Sequence, residues 1–233
     1  MDAIEITSGN VTLAADFYPA DGDLAFVVSH GWGSERPTDI PAALSGAGFP
    51  ALAYDLRGHG ASGGLLEEAS RADWVGDLVI VIDRLRELAP QARIALVGAS
   101  FGAYLSLMAS DTREVAGLSL RVPANLPDDD FDLPYVSRFG PDSGRRRPED
   151  LTPAYSRPLR ALRAFTGPVQ IIDADGDEVI PARTVDDYAA AVEPRRLTRY
   201  TLHGPHHLAT PELRGEYIAA LLVWADGIPR MDA

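Results

Sequence analysis

Apolar and polar residues alternate at the start of the chain and then give way to longer apolar runs. Residues 4–7 and 11–18 alternate on either side of a Ser8-Gly9-Asn10 turn, which predicts a β-hairpin. Residues 24–28 are continuously apolar, as expected for a strand that is buried on both faces. The chain therefore begins with antiparallel strands and then enters a more deeply buried sheet.

From residue 37 onward, helical and strand-like patterns alternate. The helical spacing is clearest over residues 71–88, where apolar residues recur every three or four positions before Pro90. The predicted helices cover residues 37–46, 71–88, 100–110, 156–165, 181–192 and 211–225. The predicted strands after residue 28 cover residues 51–54, 94–97, 115–122, 169–172 and 197–202. Repeated strand–helix units predict an α/β fold with a mostly parallel central sheet flanked by helices.

One stretch, at about residues 123–166, interrupts this alternation. It is rich in proline and contains the charged runs Asp128-Asp129-Asp130 and Arg145-Arg146-Arg147. Its aromatic residues either line a substrate pocket or pack the segment onto the body of the protein. No internal repeat accompanies the interruption. We therefore predict a single domain, residues 1–233, that carries a small cap insertion at about residues 123–166.

The composition excludes several classes of function. Of the 233 residues, 34 are acidic and 21 are basic, which gives a net charge of −13. Such a charge disfavours sequence-independent nucleic-acid binding and docking on anionic membranes. All the basic residues are arginine, and cysteine is absent, so Schiff-base lysine, thiolate and cysteine-ligated zinc chemistry are excluded. An acidic start and the lack of a long apolar run predict a cytoplasmic protein.

The strongest chemical signal is the pentapeptide Gly98-Ala99-Ser100-Phe101-Gly102. It directly follows a predicted strand and opens a predicted helix, the context in which a G-x-S-x-G sequence forms a nucleophile elbow. The glycines are required there because the turn presses the residues two before and two after the serine against neighbouring backbone. Ser100 is therefore the candidate nucleophile.

A second glycine-rich turn, His30-Gly31-Trp32-Gly33, follows the buried strand at residues 24–28. A turn of this kind can direct a backbone N–H into a catalytic site, and acyl transfer needs two such donors where the oxyanion forms. We predict that the N–H groups of Trp32 and Phe101 form this oxyanion hole. We expect His30 to order the loop rather than act as a base.

These two turns, together with the block Tyr54-Asp55-Leu56-Arg57-Gly58-His59-Gly60-Ala61-Ser62, resemble the α/β-hydrolase superfamily over nearly the whole chain. The closest resemblance is to small-cap esterases of the feruloyl or cinnamoyl esterase type and to the serine-aminopeptidase-like lipase group. The resemblance implies an α/β-hydrolase fold. It also implies that Arg57 and His59 order a loop and have no catalytic role.

The same resemblance implies the chain order serine, acid, histidine. The acid follows the strand at residues 169–172, where Asp177 fits the family pattern best and Asp175 is the alternative. The base follows the strand at residues 197–202. The family pattern G-x-x-H, counted from Gly204, selects His207, and His206 is the alternative. Clusters of carboxylates or histidines in these loops could also suggest a metal, but their ligand sets favour a triad.

These features predict a serine hydrolase that cleaves a small-molecule carboxylic ester through an acyl-enzyme on Ser100, with Asp177 and His207 completing the triad. No cofactor, metal, nucleic acid or membrane is expected to take part. A thioesterase, amidase or acyltransferase with the same triad is one alternative. A non-catalytic ligand-binding protein on a hydrolase fold is the other.

Overall fold

The apolar runs of the sequence form one eight-stranded sheet in the computed structural model, which describes residues 1–136 and 156–229. Its strands are β1 Asp2–Ser8, β2 Val11–Tyr18, β3 Leu24–Ser29, β4 Ala51–Tyr54, β5 Arg93–Ala99, β6 Gly117–Arg121, β7 Val169–Gly176 and β8 Leu197–Pro205. Their order across the sheet is β1-β2-β4-β3-β5-β6-β7-β8. Only the pairs β1–β2 and β2–β4 are antiparallel, so the mostly parallel sheet predicted from the sequence is confirmed.

Helices cover both faces of this sheet. Those within the described residues are α1 Asp39–Gly46, α2 Arg71–Leu88, α3 Phe101–Ser110, α4 Arg157–Ala164, α5 Ala182–Ala191 and α6 Pro211–Asp226, with a 3₁₀ helix at Pro194–Arg196. The start of α2 is fixed by a capping box, in which Ser70 and Asp73 each accept a hydrogen bond from the other's backbone N–H. The bounds of α2 are those that the apolar spacing predicts.

The strands in the middle of the sheet contribute to two separate hydrophobic cores. Val27 and Leu96 pack in the core beneath α2 and α3, whereas Val28 and Val97 pack in the core beneath α1 and α6. Successive residues of a strand point to opposite faces, so a strand covered on both sides is apolar at every position. This explains the continuous apolar runs in the sequence.

The carboxyl ends of three parallel strands bring three polar residues to one edge of the sheet. Ser100, Asp177 and His206 are each the first residue after a strand, namely β5, β7 and β8. All three strands are longer than predicted, because β5 continues to Ala99, β7 to Gly176 and β8 to Pro205. The additional length of β8 decides which histidine stands at the strand end.

The described part of the predicted cap is limited to its two flanks. Residues 123–136 lead away from β6, and α4 leads back towards β7. The central residues 137–155 lie outside the described part of the chain, and so do the predicted cap residues Phe139 and Tyr155 and the run at 145–147. Among the helices that are described, none is both long and apolar enough to cross a lipid bilayer.

Candidate active site

Ser100 lies in the tight turn between β5 and α3. Its backbone angles are φ 53° and ψ −113°, a combination that residues other than glycine rarely adopt. Neighbouring backbone holds the turn in place. The Ser100 N–H donates to the carbonyl oxygen of Arg121 at 2.9 Å, and the Ser100 carbonyl accepts from the Ala124 N–H at 3.2 Å. The side chain of Ser100 stays partly exposed at the sheet edge.

The two glycines of the pentapeptide are required by close backbone contacts. A Cβ atom on Gly98 would lie 2.6 Å from the Cα of Ala103, and one on Gly102 would overlap the carbonyl oxygens of Ser29 and His30. These contacts are the crowding that the sequence pattern predicts. Any larger side chain at either position would push the turn away from β3 and α3.

The second glycine turn lies directly against the nucleophile turn. A Cβ atom on Gly31 would be 3.4 Å from the Cβ of Ser100, so the backbone that leads into Trp32 passes close to the serine. The rings of Trp32 and Phe101 are in edge contact, with centroids 5.4 Å apart. Within the described residues, neither the Trp32 N–H nor the Phe101 N–H has a hydrogen-bond acceptor. Two unused backbone donors thus lie beside Ser100.

Asp177 and His206 form a buried pair at the same sheet edge. Nδ1 of His206 lies 2.7 Å from Oδ2 of Asp177, and each side chain is only 5% exposed. The other carboxylate oxygen accepts the N–H groups of Val179 and Ile180, both at 2.8 Å. Burial alone would raise the pKa of Asp177, but the hydrogen bonds from His206, Ile180 and Val179 outweigh it and lower that pKa.

This pairing corrects the prediction for the histidine. The sequence pattern selected His207, but the imidazole beside Asp177 belongs to His206, so the pairing of Asp177 with His207 is wrong. Because β8 continues to Pro205, His206 is the residue that leaves the strand end next to the loop after β7. The ring of His207 is nearly perpendicular to that of His206, at 88°, and lines a different cavity with Arg121 and Arg214.

The other two aspartates near the acid loop have partners of their own. Asp175, the alternative acid, lies 2.7 Å from Nδ1 of His203, and that histidine is 81% exposed. Asp173 pairs with Arg199 at 2.6 Å. Since each of the three aspartates faces a separate arginine or imidazole group, their oxygens are not gathered around one point as those of a metal site would be.

His30 joins the loops that follow β3 and β4. Its Nε2 accepts the N–H of Leu56 at 3.0 Å, and its Nδ1 therefore carries the proton and donates to the Gly31 carbonyl at 2.8 Å. Burial lowers the pKa of His30 to about 4. The predicted loop-ordering role of His30 is confirmed, because both ring nitrogens are used by backbone groups.

The loop after β4 is held by a charged network. Arg57 pairs with the fully buried Asp77 of α2, with an Nη2–Oδ1 distance of 2.7 Å. Asp55 binds the guanidinium of Arg36 and also accepts the N–H of Ala61 at 2.8 Å. His59 lies against the Trp32 ring, with centroids 5.2 Å apart. These contacts support the structural role that the sequence resemblance implied for Arg57 and His59.

Arg121, at the end of β6, has a place in the site that the sequence analysis missed. Its Nη1 donates to the carbonyl oxygen of His206 at 2.7 Å, and its own carbonyl accepts the Ser100 N–H. The side chain is buried, with 7% of its surface exposed. The sequence does contain a signal for this role, because Arg121 is a charged residue at the end of an otherwise apolar parallel strand. A charge that is buried at such a position requires a specific partner.

The described flanks of the cap pack against the site. Tyr135 is buried, and its ring lies 4.7 Å from that of Trp32 between centroids. Asp128 binds the α4 N-terminus through the N–H of Arg157 at 2.7 Å and pairs with Arg160 at 3.2 Å. The run of aspartates is thus tied to α4 through Asp128.

Solved structures of similar shape include several hydrolases. An esterase of Pyrococcus furiosus is 21% identical, with a TM-score of 0.75, and the alignment covers 97% of this chain and 91% of that one. Est1E of Butyrivibrio proteoclasticus, solved with ferulic acid bound, is 18% identical, with a TM-score of 0.74 and coverage of 97% and 100%. A monoacylglycerol lipase of Paleococcus ferrophilus is 19% identical, with a TM-score of 0.71 and coverage of 93% and 99%. At these identities the likeness establishes the α/β-hydrolase fold.

Comparison with known sequences identifies a family but no curated relative. No curated protein matches the chain at a significant level. The model of the family described as serine aminopeptidase, S33, matches residues 21–139, just over half of the chain. The match includes both glycine turns and Ser100 and ends before Asp177 and His206. The chain therefore belongs to the S33 serine aminopeptidase family of α/β hydrolases.

Proposed function

We propose that the protein hydrolyses a small carboxylic ester, with Ser100 as nucleophile, His206 as general base and Asp177 as the acid that orients the base. The observation that carries this proposal is the buried Asp177–His206 pair, which lies at the same sheet edge as the strained turn of Ser100. A serine, a carboxylate and an imidazole in this chain order form the catalytic arrangement of the fold.

The Asp177–His206 pair supports the role of His206 as a base. An ionised carboxylate only accepts hydrogen bonds, so His206 keeps its proton on Nδ1 and leaves Nε2 as the basic nitrogen. Nε2 takes the proton of the Ser100 hydroxyl as its oxygen attacks the ester carbonyl. The low pKa of Asp177 keeps its carboxylate ionised, which stabilises the imidazolium that forms.

The unused N–H groups of Trp32 and Phe101 supply the expected oxyanion hole. Both lie beside Ser100, and Phe101 is also the first residue of α3, where helix-terminal N–H groups favour negative charge. As the tetrahedral intermediate collapses, the bond to the alcohol breaks and His206 returns its proton to that alcohol. Water, deprotonated by the same imidazole, then attacks the acyl-enzyme and releases the acid.

An ester is the substrate class best supported by the comparisons, because an esterase and a lipase are among the similar structures. The same triad would also serve a thioesterase, an amidase or an acyltransferase. Assays with thioester and amide substrates and with alternative acyl acceptors would distinguish these activities. A cytoplasmic location and a single domain with a cap at about residues 123–166 form part of this proposal. The packing of Tyr135 on Trp32 supports a cap that borders the active site.

The test is hydrolysis of p-nitrophenyl acetate and butyrate by wild-type protein and the Ser100→Ala variant. We expect the variant to lose at least ~10³-fold in kcat/KM, because the acyl-enzyme can no longer form. Ser110→Ala, at the other end of α3, is the matched control and should retain activity. Undiminished turnover by Ser100→Ala would overturn the proposal.

Covalent labelling separates the catalytic proposal from the non-catalytic alternative. A fluorophosphonate probe reacts with a serine only when a base and an oxyanion hole activate it. We expect one label, on Ser100, that is lost in Ser100→Ala. A folded wild-type protein that takes no label and turns over no ester, thioester or amide would instead favour a binding role.

A further inference from the structure

A cavity of about 200 Å³ lies behind the nucleophile turn, on the face of the sheet covered by α1 and α6. Its walls come from the carboxyl ends of β3, β5 and β6, from the loop before α1 and from the start of α6. Gly31 and Ala99 border it, whereas Ser100 and His206 do not. The cavity is thus adjacent to the candidate active site but has a lining of its own.

The most unusual group in this lining is the guanidinium of Arg121. Its Nη1 binds the carbonyl oxygen of His206 and its plane packs on Tyr217, but its Nε is buried without a hydrogen-bond partner. Among the described residues, no carboxylate lies within salt-bridge distance of Arg121, whereas Arg57 has the buried carboxylate of Asp77. Burial lowers the pKa of Arg121, and the charge of the nearby Asp177 offsets this effect only in part.

Further cationic and polar groups surround the same cavity. Arg214 of α6 lines it and is steered by Asp39, with an Nη1–Oδ2 distance of 3.2 Å. His207 also lines it, and Glu35 is the single carboxylate residue of the lining. Ser29, His30 and Ser34 add further polar groups to the wall. Its apolar part is formed by Val28, Pro37, Ile40, Val97, Ala99 and Leu208.

We propose that this cavity binds the carboxylate of a small monocarboxylic acid, with Arg121 and Arg214 as its cationic partners and the apolar wall around its short hydrocarbon chain. A planar guanidinium matches a carboxylate in shape and charge. Glu35 would repel a dianion such as phosphate more strongly than a monoanion. A volume of about 200 Å³ is below that of pockets for drug-sized ligands, which favours an acid of a few heavy atoms.

Binding is measured with sodium butyrate by isothermal titration and by thermal unfolding, against sodium chloride at equal ionic strength. A ligand that binds only the folded state raises the Tm as its concentration exceeds the Kd. We expect butyrate to stabilise the wild-type protein, and we expect Arg121→Met to abolish this effect. Arg214→Gln, at a half-exposed position, should weaken binding at least ~10-fold because one cation is lost.

Arg84→Gln is the matched control for charge. It removes one positive charge from the exposed surface of α2, where Arg84 pairs only with Glu87 among the described residues. We expect this variant to bind butyrate as the wild type does. Equal weakening by Arg84→Gln and Arg214→Gln would mean a general charge effect and would overturn the proposal, as would the absence of butyrate binding by the wild type.

Two further binding measurements identify the ligand and locate its binding site. Inorganic phosphate should bind more weakly than butyrate, and equal or tighter phosphate binding would overturn the monocarboxylate assignment. Protein labelled on Ser100 with a fluorophosphonate should still bind butyrate, whereas loss of binding would place the acid in the active site as a product. If Ser100 takes no label, the esterase proposal fails, and the arginine variants still decide the cavity proposal.

Discussion

The side chain of Arg121 and the backbone of His206 are joined by a hydrogen bond of 2.7 Å from Nη1 to the carbonyl oxygen. The carbonyl of the same arginine accepts the Ser100 N–H at 2.9 Å. Arg121 therefore links the nucleophile turn after β5 to the histidine after β8, across the ends of β6 and β7, which lie between them. In the proposed mechanism Arg121 is a positioning residue, because it fixes the positions of Ser100 and His206 relative to each other.

We expect Arg121→Lys to lower kcat by ~10- to 100-fold with little change in KM. Lysine keeps the charge but lacks the planar guanidinium, so it holds the His206 carbonyl less firmly. The imidazole of His206 is then positioned less accurately relative to Ser100. Steady-state kinetics on p-nitrophenyl esters, with Arg84→Lys as control, measures the effect. A change confined to KM would assign Arg121 to substrate binding instead.

Substitution of the two adjacent histidines tests the corrected base. We expect His206→Ala to reduce kcat/KM by ~10³-fold or more, because the proton of Ser100 then has no acceptor. His207→Ala should cost less than ~10-fold, since its ring lines the neighbouring cavity and does not face Asp177. The opposite ranking in p-nitrophenyl butyrate hydrolysis would restore His207 as the base.

A pair of glycine substitutions tests the crowding at the nucleophile turn. Gly102→Ala places a methyl group onto the carbonyl oxygens of β3, so we expect a loss of at least ~2 kcal/mol in the free energy of unfolding. Gly76→Ala, on the exposed face of α2 with no atom within 4 Å of the added methyl, should instead stabilise by ~0.5–1 kcal/mol. Urea denaturation of both variants checks the signs. A Gly102→Ala variant as stable as the wild type would contradict the structure of the turn.

The buried His30 predicts a pH dependence of stability. Its pKa is about 4 in the folded protein against 6.5 in the unfolded chain. Between these values the unfolded state binds more protons, so the contribution of His30 is fully present above pH 6.5 and is lost as the pH falls towards 4. Over this pH range, His30 lowers the free energy of unfolding by at most ~3 kcal/mol.

We expect His30→Asn to flatten the decline in the free energy of unfolding between pH 6.5 and 4, because asparagine does not titrate. Urea denaturation across this range measures it. His203→Asn is the control, since His203 is exposed and the hydrogen bond that it donates to Asp175 raises its pKa, which gives a contribution of the opposite sign. An unchanged acid slope in His30→Asn would show that His30 is not the group responsible.

The sequence determined most of the fold and pointed to the candidate nucleophile because these depend on local patterns. The apolar runs identified the strands, the spacing over residues 71–88 fixed α2, and the two glycines flanking Ser100 identified a crowded turn. Asp177 was chosen because the resemblance to the α/β-hydrolase superfamily implies an acid after this strand, and the structure pairs it with an imidazole. Each of these inferences concerns a few adjacent residues whose geometry follows from their own types.

Only the tertiary structure decided which histidine faces Asp177 and what Arg121 does. The choice between His206 and His207 depends on where β8 ends, and that end is set by pairing with β7, more than 20 residues away along the chain. The role of Arg121 depends on contacts with Ser100 and His206, which come from strands on either side of β6. Contacts between distant segments are fixed by the packing of the whole sheet, and no local pattern carries that information.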